Sequence, residues 1–284
     1  MSESLPGIVL DLPDADYHRI DRASSSALRK LRQGKSPAHL RHDFDHPIEP
    51  TPAMEFGTAL HQYLFQFEEM GRSVVLKPDW PRRKKADKER WETWEAEHQD
   101  IPIHLSSEQY DALGAMADKI DRHERLQSLW RHPHKSEVTV FCDMEIFDVD
   151  ATEMLLPSKA RLDLWIPDLK CIVDLKTTTD ASPRAFAKTV ANWGYHWQAA
   201  FYSLSLAQHG HSVEDYLFIA AEKSPPYQVA VYRLDDEVLA RAHQEMQGAM
   251  RRLALCYETG DWPGYYEDIQ TLTLPPWAFT YEED

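Results

Sequence analysis

The sequence predicts an α/β fold, with α and β parts around one mixed sheet, and three patterns predict it. Apolar residues recur at helical spacing before residue 130. After Pro133, runs rich in β-branched and aromatic residues appear at strand length. Those runs alternate with further helical stretches, in the order three strands, helix, two strands, helix, which calls for helices packed on a sheet.

Residues 1–21 read as extended and irregular, with Pro6, Gly7, Pro13 and several aspartates. Ser24, Ser25 and Ser26 are N-cap candidates for a short helix from Ala27 to Arg32 that stops at Gly34. Ser36 and Pro37 open another, ending near His42. Residues 47–52 form a loop. Residues 53–68 read as one helix, because Phe56, Leu60, Tyr63, Leu64 and Phe67 fall three and four apart. Residues 78–100 are polar, basic and Trp-containing, a helix or a mobile loop. Residues 106–129 form an amphipathic helix capped by Ser106 or Ser107. Strands follow at 137–142, 159–166 and 171–177, the last two joined by the turn Pro167-Asp168-Leu169-Lys170. Ser182 and Pro183 start a helix that runs towards Gln208 and breaks near Trp193-Gly194. Strands at 216–221 and 228–234 and a long helix at 235–257 complete the core. No internal repeat or low-complexity segment is visible. The expectation is one domain, 1–284: a mainly helical part (1–130), a sheet-and-helix core (131–260) and a Pro/Trp tail (261–284). The tail, with Trp277, is expected to pack on the chain's own core.

Composition narrows the class. Of 284 residues, 43% are apolar and 27% charged, the balance of an ordinary soluble globular protein. No apolar run reaches 18 residues, and the first residues lack a basic stretch followed by an apolar one. Neither a membrane span nor a secretory signal is therefore expected. Cys142, Cys171 and Cys256 lie far apart, which excludes a cysteine-framed zinc or iron–sulfur site and points to a reducing cytoplasm. The formal charge of −16 argues against a polyanionic partner, but it is uneven. Residues 1–100 carry a net −3 and residues 101–284 a net −13. Arg22, Arg29, Lys30, Arg32, Lys35 and Arg41 form a run without an acid, and Arg82, Arg83, Lys84, Lys85, Lys88 and Arg90 form a second against Asp87 and Glu89. Either run reads as a solvated face or as a grip on phosphate.

The chemistry concentrates in Arg161-Leu162-Asp163 and in Val173-Asp174-Leu175-Lys176. Alternate residues of a strand share a face, so Asp174 and Lys176 point together while Val173 and Leu175 enter the core. The intervening turn returns Asp163 towards Asp174. Two carboxylates and one ammonium then converge, a set suited to a hard divalent ion and a phosphodiester. Taken alone, an Asp-x-Lys pair also reads as a surface ion pair. His61, in Gly57-Thr58-Ala59-Leu60-His61, also reads as a satisfied core histidine. Gln198, which shares a helix face with Tyr202, also reads as half-exposed.

Together these motifs, with Tyr195-His196-Trp197-Gln198-Ala199-Ala200-Phe201-Tyr202, resemble the exonuclease VIII (RecE-type) recombination nucleases. Those belong to the PD-(D/E)XK superfamily, with phage lambda exonuclease and the RecB nuclease domain. The likeness extends to Asp16-Tyr17-His18, residues 24–28, Asp261-Trp262-Pro263 and residues 271–278. Leu162 replaces the usual proline, and Asp174 the usual glutamate. The resemblance implies a restriction-endonuclease-like core behind N-terminal helices, and a Mg²⁺-dependent exonuclease (Mn²⁺ as a substitute) with two ions per site. It implies digestion of double-stranded DNA ends from 5′ to 3′, leaving a 3′ strand for a single-strand annealing protein. It implies a homo-oligomeric ring, a trimer or tetramer, in a bacterial cytoplasm, with phage, prophage and chromosomal origins all open. Asp163, Asp174, the carbonyl of Leu175 and His61 would hold metal, with Glu137 beside a second ion. Lys176 would be the catalytic lysine, with Gln198 and Tyr202 lining the site. Arg29, Lys30, Arg32, Arg161, Arg82, Arg83, Lys84 and Lys85 would contact DNA. The rivals are another nuclease of the superfamily (RecB-like or Cas4-like) and a non-catalytic DNA-end-binding protein.

Overall fold

The computed structural model describes residues 7–81, 83–147, 153–275 and 278. Arg82, Asp148, Asp150, Pro276 and Trp277 lie outside the described residues. The elements in chain order are β1 (Ile8–Val9), α1 (Asp14–Arg19), α2 (Ser25–Arg32), α3 (Pro37–Asp45), α4 (Pro52–Phe65), α5 (Phe67–Ser73) and β2 (Val74–Leu76). There follow α6 (Lys85–Glu97), β3 (Ile103–Leu105), α7 (Ser107–Asp121), α8 (Glu124–Trp130), β4 (Lys135–Phe147), β5 (Glu153–Ile166) and β6 (Cys171–Thr178). The chain continues with α9 (Pro183–Trp193), α10 (Tyr195–Ala207), β7 (Asp215–Glu222), β8 (Val229–Arg233) and α11 (Asp236–Thr259).

Six strands form one mixed sheet in the order β1-β4-β5-β6-β7-β8. Every neighbouring pair is antiparallel except β6 and β7, whose parallel pairing requires the crossover through α9 and α10. Each face of the sheet carries its own apolar cluster. Ile172, Tyr216 and Phe218 meet α2, α10 and α11 on one side; Val173, Leu175 and Ile219 meet α4, α7 and α8 on the other. Because helices cover both faces, Cys171-Ile172-Val173-Asp174-Leu175 is buried throughout, and Asp174 enters the interior with its apolar neighbours. All three cysteines are buried free thiols. No helix among the described residues is long and apolar enough to cross a membrane.

Several boundaries differ from expectation for identifiable reasons. Residues 14–19 form a helix, with Asp14 and Asp16 in its first turn where the helix dipole favours acids. The helix expected over 53–68 ends at Phe65, because Gln66 (φ −144°, ψ 55°) leaves helical geometry and α5 starts afresh. β2 and β3 pair in parallel over three residues each, too short for periodicity to reveal. The helix expected over 106–129 is two, with Arg122 and His123 between them. The tail is anchored as far as Tyr265: Trp262 packs on Phe44 and Tyr257, the Pro263 carbonyl accepts the Ala38 N–H, and Tyr265 lies on His39. Beyond it Tyr266, Ile269 and Leu272 are exposed, so the rest of the described tail does not join the core as expected.

Candidate nuclease site

β5 and β6 pair over only three positions, Leu164↔Val173, Trp165↔Ile172 and Ile166↔Cys171. Continued register would set Asp163 opposite Asp174. Instead the strands part, and the Asp163 carboxylate accepts the Leu175 N–H at 2.8 Å. A side chain thus replaces the ladder bond that the split removes. A strand residue presents its N–H and C=O to the same edge, so the Leu175 carbonyl also faces the split. On the far side β6 stays paired with β7 through Thr178, which fixes Asp174 and Lys176.

His61, on α4, closes the split from the second cluster's side. Its Nδ1 lies 2.8 Å from the Gly57 carbonyl, one helical turn back, and its Nε2 lies 2.8 Å from Asp163 Oδ2. Nδ1–H therefore donates to the backbone, and Nε2 is the end turned to the carboxylate. Burial opposes the imidazolium, but the Asp163 charge outweighs it and raises the pKa to about 9. Burial likewise opposes the Asp163 carboxylate, yet His61, Lys176 and the Leu175 N–H hold its pKa below the ordinary value.

Asp174 faces the other way. Its Oδ1 accepts from Gln198 Nε2 at 2.7 Å and from the Tyr216 hydroxyl at 3.3 Å. Its Oδ2 is buried without a hydrogen bond and lies 2.5 Å from the Lys176 ammonium, a charge contact. Burial, with Asp163 adding repulsion, pushes the Asp174 carboxyl upward. Burial would lower the Lys176 pKa, but the two aspartates more than reverse that. Lys176 Nζ also stands 4.8 Å over the Tyr195 ring. Tyr202 is buried behind this group, and burial pushes its phenol well above the ordinary value. The sequence reading missed Tyr216, Tyr195 and the Gly57 carbonyl. The shared even parity of Ile172, Asp174, Tyr216 and Phe218 across the β6–β7 register was the signal for Tyr216.

Glu137 is directly opposite Asp163 on β4 and adopts φ 48°, a left-handed conformation in mid-strand that interrupts the ladder. Such a backbone costs about 1–3 kcal/mol. It turns the carboxylate towards Asp163, and burial plus that neighbouring charge raises its pKa to about 7. Glu137, His61 and Arg161 line a cavity of about 740 Å³ between the sheet, α4, α5 and residues 11–14.

The expected DNA contacts divide. Arg161 is not a free cation: it binds Asp14 at 2.9 Å and the Leu12 carbonyl, and lies 3.6 Å from Glu137. Lys30 pairs with Asp43 at 2.5 Å, Arg32 donates to the Ala191 carbonyl, and Arg29 lies over Trp193. Arg22 and Arg41 pair with Asp143 and with Asp21 and Asp45. The first basic run is therefore largely consumed in fastening α2 and α3, because acids distant in sequence fold onto it. Arg83, Lys84 and Lys85 are exposed at the start of α6.

Among the described residues, no three His, Cys, Asp or Glu side chains stand together as a ready cation cage. Each carboxylate is held by a proton-bearing partner, Asp163 by His61 and Asp174 by Lys176. The donor types still fit a hard divalent ion: two carboxylates, a backbone carbonyl and an imidazole of fixed orientation. The buried Asp174 Oδ2 has no hydrogen bond and is met only by the charge of Lys176, so its donor capacity suits an ion in this set.

Residues 24–275 match the model of a family described as a PDDEXK-like domain of unknown function (DUF3799). No curated protein matches the sequence. Among solved structures, the chain is similar to a provisionally designated exonuclease from Eubacterium rectale, at 16% identity and a TM-score of 0.60 over 94% of this chain and 96% of that one. A phage-related exonuclease from Haemophilus somnus 129PT matches at 12% identity and a TM-score of 0.30, over 69% of this chain and 96% of that one.

Proposed function

Since the chain belongs to the PDDEXK-like domain family of unknown function (DUF3799), we propose that it is a metal-dependent nuclease hydrolysing DNA phosphodiesters. The observation that carries this reading is the split between β5 and β6, where Asp163, Asp174 and Lys176 meet. The finer reading is an exonuclease that enters at duplex ends and removes the 5′ strand. It would leave a 3′ strand for an annealing protein and act as a homo-oligomeric ring. The similarity to the Eubacterium rectale protein supports the fold of this reading.

The residues divide the work as follows. Asp163, Asp174, the Leu175 carbonyl and His61 Nε2 would hold Mg²⁺ or Mn²⁺, with Glu137 placed for a second ion. The ion supplies Lewis acidity towards the phosphate and its attacking water. Lys176, with its pKa raised, stays an ammonium at neutral pH. It therefore serves as a fixed positive charge beside the phosphorane oxygens and not as the base. Gln198 and Tyr216 hold Asp174 Oδ1, which leaves Oδ2 directed into the site. Gly57 holds the His61 ring so that Nε2 is the presented nitrogen. Water attacks phosphorus and gives up a proton to solvent, the P–O bond to the leaving nucleotide breaks, and the leaving oxygen takes a proton from solvent.

The test is digestion of linear duplex labelled at the 5′ or 3′ end, with and without Mg²⁺. Label release from the 5′ end, Mg²⁺ dependence and loss in Lys176→Ala are expected. Cleavage of covalently closed circles would redirect the reading to an endonuclease. No metal-dependent nucleotide release from any substrate would leave a non-catalytic DNA-end protein.

A further inference from the structure

The cavity beside the split offers about 740 Å³, far more than the hydrolytic side chains use. Its lining separates by chemistry. Two of its cations are held within the fold, Arg161 by Asp14 and His61 by Asp163, and the third, Arg72, is an exposed side chain 3.5 Å from Glu69. Asp11 and Glu68 add negative charge at the rim. A phosphate inside would meet the carboxylates of Asp11, Asp14, Glu68, Glu69 and Glu137 with Arg72 as the one loosely held cation, an unfavourable field.

The cavity does offer an aromatic face and amides. Phe67 is 66% exposed at the first position of α5 and lines the cavity. It points there because the chain leaves helical geometry at Gln66, and Tyr63 supports its ring edge-on at 5.6 Å. Gln62 and Gln66 also line the wall, and the Gln62 Oε1 is occupied by the Ser73 hydroxyl at 2.6 Å, which leaves its amide N–H₂ as the outward donor. A flat π surface, amide donors and carboxylate acceptors that outnumber the cations match a nucleobase. Its ring stacks, its carbonyls and ring nitrogens accept, and its exocyclic amines donate.

We infer that this cavity takes the base of the nucleotide adjoining the scissile phosphate, stacked on Phe67, while the phosphate stays at Lys176. The inference rests on the nuclease reading and specifies how that site holds its substrate. Base–aromatic stacking of about 1–3 kcal/mol corresponds to about 5- to 150-fold in affinity.

The experiment uses duplex DNA with 2-aminopurine as the 5′-terminal base and reads its fluorescence, KM and kcat. Wild type is expected to quench the base. Phe67→Ala is expected to lose the quench and raise KM about 5- to 150-fold with kcat much less affected. Phe67→Trp should restore both. An unchanged melting temperature for Phe67→Ala shows that the fold is intact. Wild-type quenching and KM in Phe67→Ala would overturn the stacking, as would a fall in kcat at constant KM. Cleavage by wild type without quenching also removes the stacking but spares the nuclease reading. Quenching without cleavage does the reverse.

Discussion

Lys159 shows how one side chain fastens the N-terminal segment beside the site. It is 5% exposed, yet its ammonium donates to the Tyr17 and Ile20 carbonyls at 2.7 Å each and lies 4.6 Å from the Tyr17 ring. It thereby satisfies carbonyls at the end of α1 that the helix leaves unpaired. Arg161, two residues on, grips the start of the same helix through Asp14. Burial lowers the Lys159 pKa to about 8 from an ordinary 10.5. The unfolded chain then binds more protons than the folded one between those values, so stability rises with pH across that window and is flat for this group below it. Lys159→Met should lose about 1–3 kcal/mol by removing the donor from the Tyr17 carbonyl, the Ile20 carbonyl keeping the Arg22 N–H at 3.0 Å. The gap between wild type and variant should widen from pH 8 to 10. Urea unfolding midpoints at pH 7, 8, 9 and 10 measure both effects. None of this was legible in the sequence, where Lys159 is one more cation at the start of a strand. The convergence of Asp163, Asp174 and Lys176 was legible from strand parity and the four-residue turn, whereas the parting of the strands there and the inward turn of Asp174 were not.

At the scale of elements, the site depends on where helices stop. Gly194 has φ 67° and separates α9 from α10, which sets the first turn of α10 and with it Gln198. A Cβ there would lie 3.4 Å from Arg29 Cγ in a backbone conformation that costs other residues about 1–2 kcal/mol. Gly194→Ala should therefore destabilise by that amount. It should also cut kcat about 10-fold, within the range for loss of a supporting partner to a metal ligand, because Gln198 no longer meets Asp174. A thermal melt and a duplex digestion read the two effects. This break was visible in the sequence, since glycine after Trp193 is a helix stop. The break at Gln66 was not: no glycine or proline marks it, and Phe67 continues the apolar spacing of α4. Tertiary packing decides there, as Ser73 on α5 reaches back to Gln62. The result is an outward Phe67 where periodicity placed a buried one.

At the scale of the whole molecule, the charge of −16 is a poor guide to partners, and so is a count of cations in a run. Lys30, Arg22 and Arg41 are matched to Asp43, Asp143 and Asp21, whose proximity no local pattern shows. Arg83, Lys84 and Lys85 are exposed at and just before the start of α6, with Lys85 loosely paired to Glu89, and we propose that end as the grip on phosphate. Replacing all three with Glu should weaken duplex binding and reduce the slope of log K against log salt by up to about 3, near 0.9 per lost contact. Lys30→Glu should lower stability and leave the slope alone. Binding titrations from low to high salt distinguish them. The overall architecture was readable because β4 to β8 are long and patterned, whereas the way the N-terminal helices are tied down came from contacts across the chain. Those contacts also impose a schedule on synthesis. His61 waits 102 residues for Asp163, and Asp174 waits 24 for Gln198 and 42 for Tyr216. Chains that end before β7 lack Tyr216 and the strand that holds β6, so Asp174 and Lys176 are not fixed in place until those residues have been made.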